Sequence, residues 1–152
     1  MTDLHQYFLV KGPRIPDFGT MIIYSSPLVE LSKDPVSPLF SLSWKPGSRN
    51  ASEPDVRKEF ELLLGFVTEY GVQLIFSNSI HYPFHDNMEM QNWMDFEYFP
   101  KLGLAGVKAF AVLAGSAAVE EFNAEKGGMF SVPELQYFQT NDEAFRWLNA
   151  SR

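Results

Sequence analysis

Leu39-Phe40-Ser41-Leu42-Ser43-Trp44 and the segment that follows it decide the class of fold. Phe40, Leu42 and Trp44 fall on one side of an extended chain, with Ser41 and Ser43 on the other. That is the period-two pattern of a strand with one buried face. Lys45-Pro46-Gly47 ends it. From Ser52 the period changes. Ser52 is placed to cap a helix, and Glu53, Pro54 and Asp55 fill a first turn that suits acids and a residue without an N–H. Val56, Phe60, Leu63, Leu64 and Val67 follow at helical spacing, up to a C-terminal stop at Gly71. Val72 to Phe76 then reads as a short apolar strand, suited to burial on both faces.

Upstream, Lys11 to Gly19 holds Gly12, Pro13, Pro16 and Gly19, too many breakers for a helix. Met21-Ile22-Ile23-Tyr24 and Leu28-Val29-Glu30-Leu31 are short apolar runs separated by Ser25-Ser26-Pro27, and predict a hairpin or two edge strands. Downstream, Asp86-x-x-Glu89 has the form of a capping box. It opens a helix carrying Met90, Trp93, Met94 and Phe96, which Pro100 and Gly103 close. Val107 to Leu113 is the strongest strand signal, with Gly115 after it. Ser116 to Glu125 predicts a short helix with Val119 and Phe122 inward, and Gly127-Gly128 a loop. Leu135 to Phe138 predicts a further strand. Thr140-x-x-Glu143 is the best capping box, opening a terminal helix with Ala144, Phe145 and Leu148 on one stripe. No repeat or linker interrupts the 152 residues. The expectation is one α/β domain over 1–152, with N-terminal strands in 1–37 and a core in 38–150.

Bulk composition narrows function by exclusion. Hydrophobic residues make up 45% and charged residues 20% of the chain, which is globular rather than disordered. A net charge of -7 argues against a nucleic-acid binder, since phosphate contacts need clustered Lys and Arg. With no cysteine there is no disulfide framework, thiolate metal site or cysteine nucleophile. Met1 to Val10 lacks the apolar run of a signal peptide, and no stretch approaches the ~20 apolar residues of a membrane span. A cytoplasmic protein without stable membrane insertion is expected.

The segments Gln91 to Leu102, Gly106 to Val112 and Leu135 to Leu148 resemble the STAS-like family of small bacterial proteins, related in fold to anti-sigma-factor antagonists and to lipid-binding CRAL-TRIO domains. The strand around Ser41–Lys45 and the helix from Pro54 fit the same layout. The resemblance covers roughly 38–150 and implies a mixed sheet with helices mainly on one face. The antagonists carry a phosphorylatable serine in an Asp-Ser-Ser-Gly-like turn. The corresponding turn here, Ser77 to Asp86, is longer and lacks both the acid and the glycine. Ser77 and Ser79 are therefore read as hydroxyls satisfying local backbone, with a phosphoacceptor as the minor alternative.

Other candidates are weighed the same way. His81 and His85 have a spacing that would put two rings on one face of a helix, as zinc proteases use it, but Pro83 removes the helix. Two loop histidines, exposed or hydrogen-bonded, are expected. Glu120, Glu121 and Glu125 read as a solvated helix face rather than paired catalytic acids. Gly-x-Gly-x-x-Gly, a phosphate loop with its Lys and Gly-x-Ser-x-Gly are all missing, so neither catalysis nor a cofactor is called for. Trp93 to Phe99 is wider in aromatic residues than one helical stripe. Positions 93 and 96 are read as facing the sheet and Tyr98 as pointing elsewhere, at the rim of a ring-rich core, an interface or an apolar pocket. The leading expectation is a non-enzymatic regulatory or protein-interaction module, a homodimer. The alternative is a binder of a small apolar or lipid-like ligand. Ser77, Ser79, His81, His85, Trp93 and Tyr98 mark the region to inspect.

Overall fold

The computed structural model describes residues 20–126 and 133–151. The breakers of 11–19, the reading of Met1 to Val10 and the Gly127-Gly128 loop lie outside them. Six strands form one mixed sheet in the order β1-β2-β3-β4-β5-β6: β1 Met21–Ser25, β2 Val29–Lys33, β3 Leu39–Trp44, β4 Leu74–Asn78, β5 Ala109–Leu113 and β6 Glu134–Phe138. β1 to β3 form an antiparallel meander, and β3 to β6 run parallel. Helix α1, Glu53–Tyr70, connects β3 to β4. A continuous helical stretch connects β4 to β5 and consists of α2 (Met88–Trp93), a π-helical turn (Met94–Tyr98) and α3 (Phe99–Leu104). Helix α4, Ser116–Lys126, precedes β6, and α5, Asn141–Ala150, ends the described chain.

Parallel strands laid down in sequence, with crossovers of one hand, send every connecting helix to the same face. The buried side chains follow that rule. Val56, Phe60, Leu63 and Val67 of α1, Met90, Met94, Tyr98 and Leu102 of the following stretch, and Val119 of α4 all pack on Phe40, Leu42, Trp44, Ile75, Phe110 and Val112. Among the described residues only α5 covers the opposite face, through Ala144, Phe145 and Leu148 on Leu39, Leu74, Phe76 and Leu113. Ala109 and Ala111 keep that surface low and let the helix sit close, with the Phe76 and Phe145 rings 4.5 Å apart. Glu59 of α1 anchors the first hairpin by accepting from Tyr24 Oη at 2.9 Å and Ser26 Oγ at 2.7 Å. Among the described residues no helix is long and apolar enough to cross a membrane.

Two helix starts lie where local chemistry puts them. Ser52 Oγ accepts from Asp55 N, and Gly71 closes α1 in the left-handed region at φ 65°. Thr140 Oγ1 accepts from Glu143 N at 3.2 Å and donates to Glu143 Oε1 at 3.1 Å, a reciprocal box. The middle helix corrects its reading three times. Its cap is Asn87, whose Oδ1 accepts from Met90 N at 2.9 Å, one residue later than the expected Asp86. Pro100 does not end it but sits in the first turn of α3. In a regular helix the proline ring would clash with the carbonyl four residues back. Here the turn just before it is wider, with Phe99 N bonded to Met94 O, an i→i+5 bond. The third correction follows from that turn. An ideal helix rotates a row of every fourth residue by about 40° per step, and the wide turn counter-rotates it. Met90, Met94, Tyr98 and Leu102 therefore all stay buried. Tyr98 is 1% exposed and donates to Phe60 O at 2.6 Å, whereas Phe96 is 77% exposed. The expected assignment of these two rings is reversed.

The reversal is measurable by denaturant unfolding. Tyr98→Ala should cost about 3–5 kcal/mol, the range for a buried ring. Phe96→Ser should stay within about 0.5 kcal/mol. The opposite ranking would mean an uninterrupted α-helix.

Candidate functional site

Register across the parallel sheet aligns Phe40, Ile75, Phe110 and Leu135 in one row, and Leu42, Ser77, Val112 and Tyr137 in the next. Both rows belong to the face that carries most helices. The second lies towards the carboxyl ends of the strands, where α/β sheets keep their ligand crevices. In that row Ser77 stands between Leu42 and Val112 and fills little space. Above it opens a cavity of about 80 Å³, open on one side. At about 10–15 Å³ per water this holds several waters or a small organic group.

Five segments complete the walls. Phe60 comes from α1, and Trp44 from the end of β3. Gln91, Met94, Asp95 and Phe99 come from the middle helix, so the π turn also aims the side chains at this wall. Ala118, Glu121 and Phe122 come from α4, and the Phe122 ring stacks on Tyr137 at 4.5 Å and 12°. The loop after β4 supplies Ser79, Tyr82, Phe84 and His85.

That loop is pinned along its length. Ser79 N bonds Leu113 O at 2.9 Å and so prolongs the β4–β5 ladder. Asn78 Oδ1 accepts from Ile80 N at 3.3 Å, and Ser79 O accepts from Tyr82 N at 3.1 Å. Tyr82 is tucked among Trp44 (5.1 Å), Phe60 (6.0 Å) and His85 (5.1 Å). The Gln91 amide donates to His85 O. His85 Nε2 lies 2.9 Å from Ser79 O. A carbonyl only accepts, so Nε2 carries a proton, and in the neutral ring Nδ1 is the acceptor nitrogen. Nδ1 is buried and has no hydrogen-bond partner among the described residues. Such an atom stands out, since most buried polar atoms in proteins have a partner.

The six residues singled out in sequence separate into two groups. Ser77, Ser79 and His85 meet at the cavity. Ser77 and Ser79 are 2% and 5% exposed, and their hydroxyls bond each other at 2.8 Å, which keeps them from a kinase. His81 turns away, its Nδ1 accepting from Arg49 Nε at 3.0 Å. Trp93 stacks on Tyr98 at 5.3 Å with the Arg57 guanidinium 5.0 Å over its ring, and Tyr98 is core behind Phe60. Among the described residues no three His, Asp or Glu side chains are placed to hold a metal ion. Tyr82, Tyr137 and Asp95 were not singled out from sequence, because strand register and the π turn bring them in. Glu121 was read as a solvated helix face. It is exposed, and it also lines the cavity mouth.

Burial sets the titration of the rings here. The Tyr137 hydroxyl is pushed up to about 12, first by burial and then by the Asp95 and Glu121 carboxylates. Burial likewise raises Tyr82, aided by Tyr137 and Glu53, and holds Tyr98 well above the ordinary phenol value, aided by Glu61. Comparison with protein-family models, with curated proteins and with solved structures returns no match.

Raised phenol values fix the sign of an alkaline effect. The unfolded chain loses these protons from pH 10 upward while the folded chain keeps them. Stability from these tyrosines is therefore full below about pH 10. Above that it falls by about 1.4 kcal/mol per pH unit for each such group, through the folded value. Tyrosinate absorbance of the folded protein should show Tyr82, Tyr98 and Tyr137 silent at pH 11, and all six tyrosines titrating together in urea. Normal titration of Tyr137 in the folded protein would mean that this wall is open to water.

Proposed function

We propose that this chain is a STAS-like, non-catalytic binding module whose working site is the cavity over Ser77, and that its ligand is a small organic molecule with an apolar or aromatic body. The observation that carries the reading is the cavity itself, walled by Trp44, Phe60, Phe99, Phe110 and Phe122, with Ser77, Ser79 and His85 among its lining residues. Such a combination, mostly apolar surface with a few converging polar groups, is what small-molecule sites share. The mixed sheet with helices mainly on one face supports the STAS-like reading, since the resemblance implies that layout. Hydrolytic chemistry is disfavoured. The proton-bearing nitrogen of His85 is spent on the Ser79 carbonyl, and the Ser77 hydroxyl bonds Ser79, so neither contact is the serine–base pair that a nucleophile needs. A cytoplasmic regulatory role, in which ligand occupancy changes what the module contacts, is the proposed setting.

A specific observation also favours self-association. Among the described residues β1 is an edge strand, and Met21 and Ile22 on it are 53% and 60% exposed. An exposed apolar edge is a template for pairing with a second copy.

Native mass spectrometry of freshly purified protein reads both claims at once. The expected result is a dimer mass that carries an added small-molecule mass, lost on denaturation. Ala118→Phe, which puts a ring into the cavity, should remove the added mass. Ile22→Lys should shift the dimer towards monomer. A bare monomer mass at all concentrations would contradict the dimer. No retained mass, together with no saturable signal against a library of small amines, acids and alcohols, would contradict the ligand site.

A further inference from the structure

Space and surface at the cavity over Ser77 set the size and shape of what enters it. A closed cavity of about 150 Å³ holds one benzene. This one has about 80 Å³ and is open on one side. It therefore takes one ring at most, edge first, with the outer part of the ring left at the mouth. Two fused rings exceed it. The depth comes from Ser77. Register sets it between Leu42 and Val112, with Tyr137 beyond, and it is the small member of that row. Ala118, also small and half-buried, lines the cavity from α4.

The walls favour a ring over a chain. Phe99 and Phe110 meet edge to face at 5.3 Å and 72°, Trp44 and Phe60 are tilted at 5.2 Å, and Phe122 stacks on Tyr137. Rings set at such angles offer both faces and edges to an aromatic guest, and a well-placed aromatic pair contributes beyond the area it buries. Packed on one another, these rings also fix the width of the cavity before a guest arrives. An alkyl chain of equal size gains no ring pairing, and it loses rotational freedom that a rigid ring never had. A charged group loses its hydration on entering such walls. The polar part of a guest therefore stays at the mouth, where exposed Glu121 marks the side open to water.

Resting on the reading of the cavity as a ligand site, we infer that it selects a single planar aromatic ring, inserted edge first over Ser77 with its polar substituent left at the mouth, and that Ser77 is the residue that sets this limit. A fused ring system or a fatty tail is the wrong ligand for it.

Neutral hydroxyl compounds test this on the full chain at neutral pH, titrated by protein-observed NMR: phenol, cyclohexanol, 1-hexanol and 2-naphthol. Phenol, cyclohexanol and 1-hexanol have equal numbers of heavy atoms and a single hydroxyl each, so only the body differs. Phenol should bind at least about five-fold tighter than cyclohexanol or 1-hexanol, a difference of about 1 kcal/mol, with shifts at Ser77, Val112 and Tyr137. 2-Naphthol should bind no tighter than phenol, although it is the more apolar of the two. Ser77→Ala keeps the space and should hold phenol to within about three-fold of the parent chain. Ser77→Val fills the space and should weaken phenol at least about ten-fold. Should Ser77→Val fail to fold, Ala118→Val reads the same space from α4, with the same loss expected. Binding of cyclohexanol or 1-hexanol as tight as phenol, tighter binding of 2-naphthol, or full phenol affinity in the valine variants, with shifts at the same residues, overturns the single-ring inference and leaves the ligand site standing. No saturable binding of any probe at millimolar concentration, with no shift at those residues, overturns both.

Discussion

One topological constraint organises this molecule: four parallel strands are laid down strictly in order across the sheet. With crossovers of one hand, each connecting helix is sent to the same face. That face receives α1, the interrupted middle helix and α4, and among the described residues the other carries α5 alone. The asymmetry explains the difference between the two sheet surfaces. Beneath α5 the strands present Ala109 and Ala111, so one helix can lie close. Beneath the three-helix layer they present Phe40, Ile75, Phe110 and Val112. Helices standing side by side over a twisted sheet diverge at its edges, and the space they leave must be filled or used.

At the carboxyl ends it is not filled. Ser77 replaces bulk with a hydroxyl in the middle of a row that is otherwise Leu42, Val112 and Tyr137. The loop from Ser79 to Asn87 closes over that gap, with Tyr82 wedged against Trp44 and Phe60. The π turn belongs to the same solution. It accommodates Pro100, keeps Tyr98 in the core as a support for Phe60, and brings Asp95 to the cavity on the turn between Met94 and Phe99. Fold and site are thus coupled through one irregular helix, a common setting for π turns.

How much of this was legible depended on the range of the interaction. The alternation of Leu39 to Trp44, the cap at Ser52 and the box at Thr140 are local, and each lies where the sequence puts it. The α/β class follows from them. The middle helix was misread because a proline was given its usual meaning as a terminator, and a regular helical wheel then put Phe96 inward and Tyr98 outward. Only the wide turn, a cooperative feature of the whole stretch, reverses them. For the site, a serine directly after the apolar run Leu74 to Phe76 and a histidine after a proline are visible signals. Tyr137 and Glu121 are not, because they arrive through the β5–β6 register and the packing of α4, which no local pattern encodes.

The central claim is that the loop after β4 folds inward and holds the His85 ring at the cavity wall through its Nε2–H bond to Ser79 O. Long-range proton–nitrogen correlation spectra of the histidine rings test it directly in ligand-free protein in mildly alkaline buffer. The account predicts His85 as a single Nε2–H tautomer with an unprotonated Nδ1, showing cross-relaxation to the Tyr82 and Tyr137 rings. A ring protonated at Nδ1 instead, or one exchanging between tautomers without contact to those tyrosines, would contradict it.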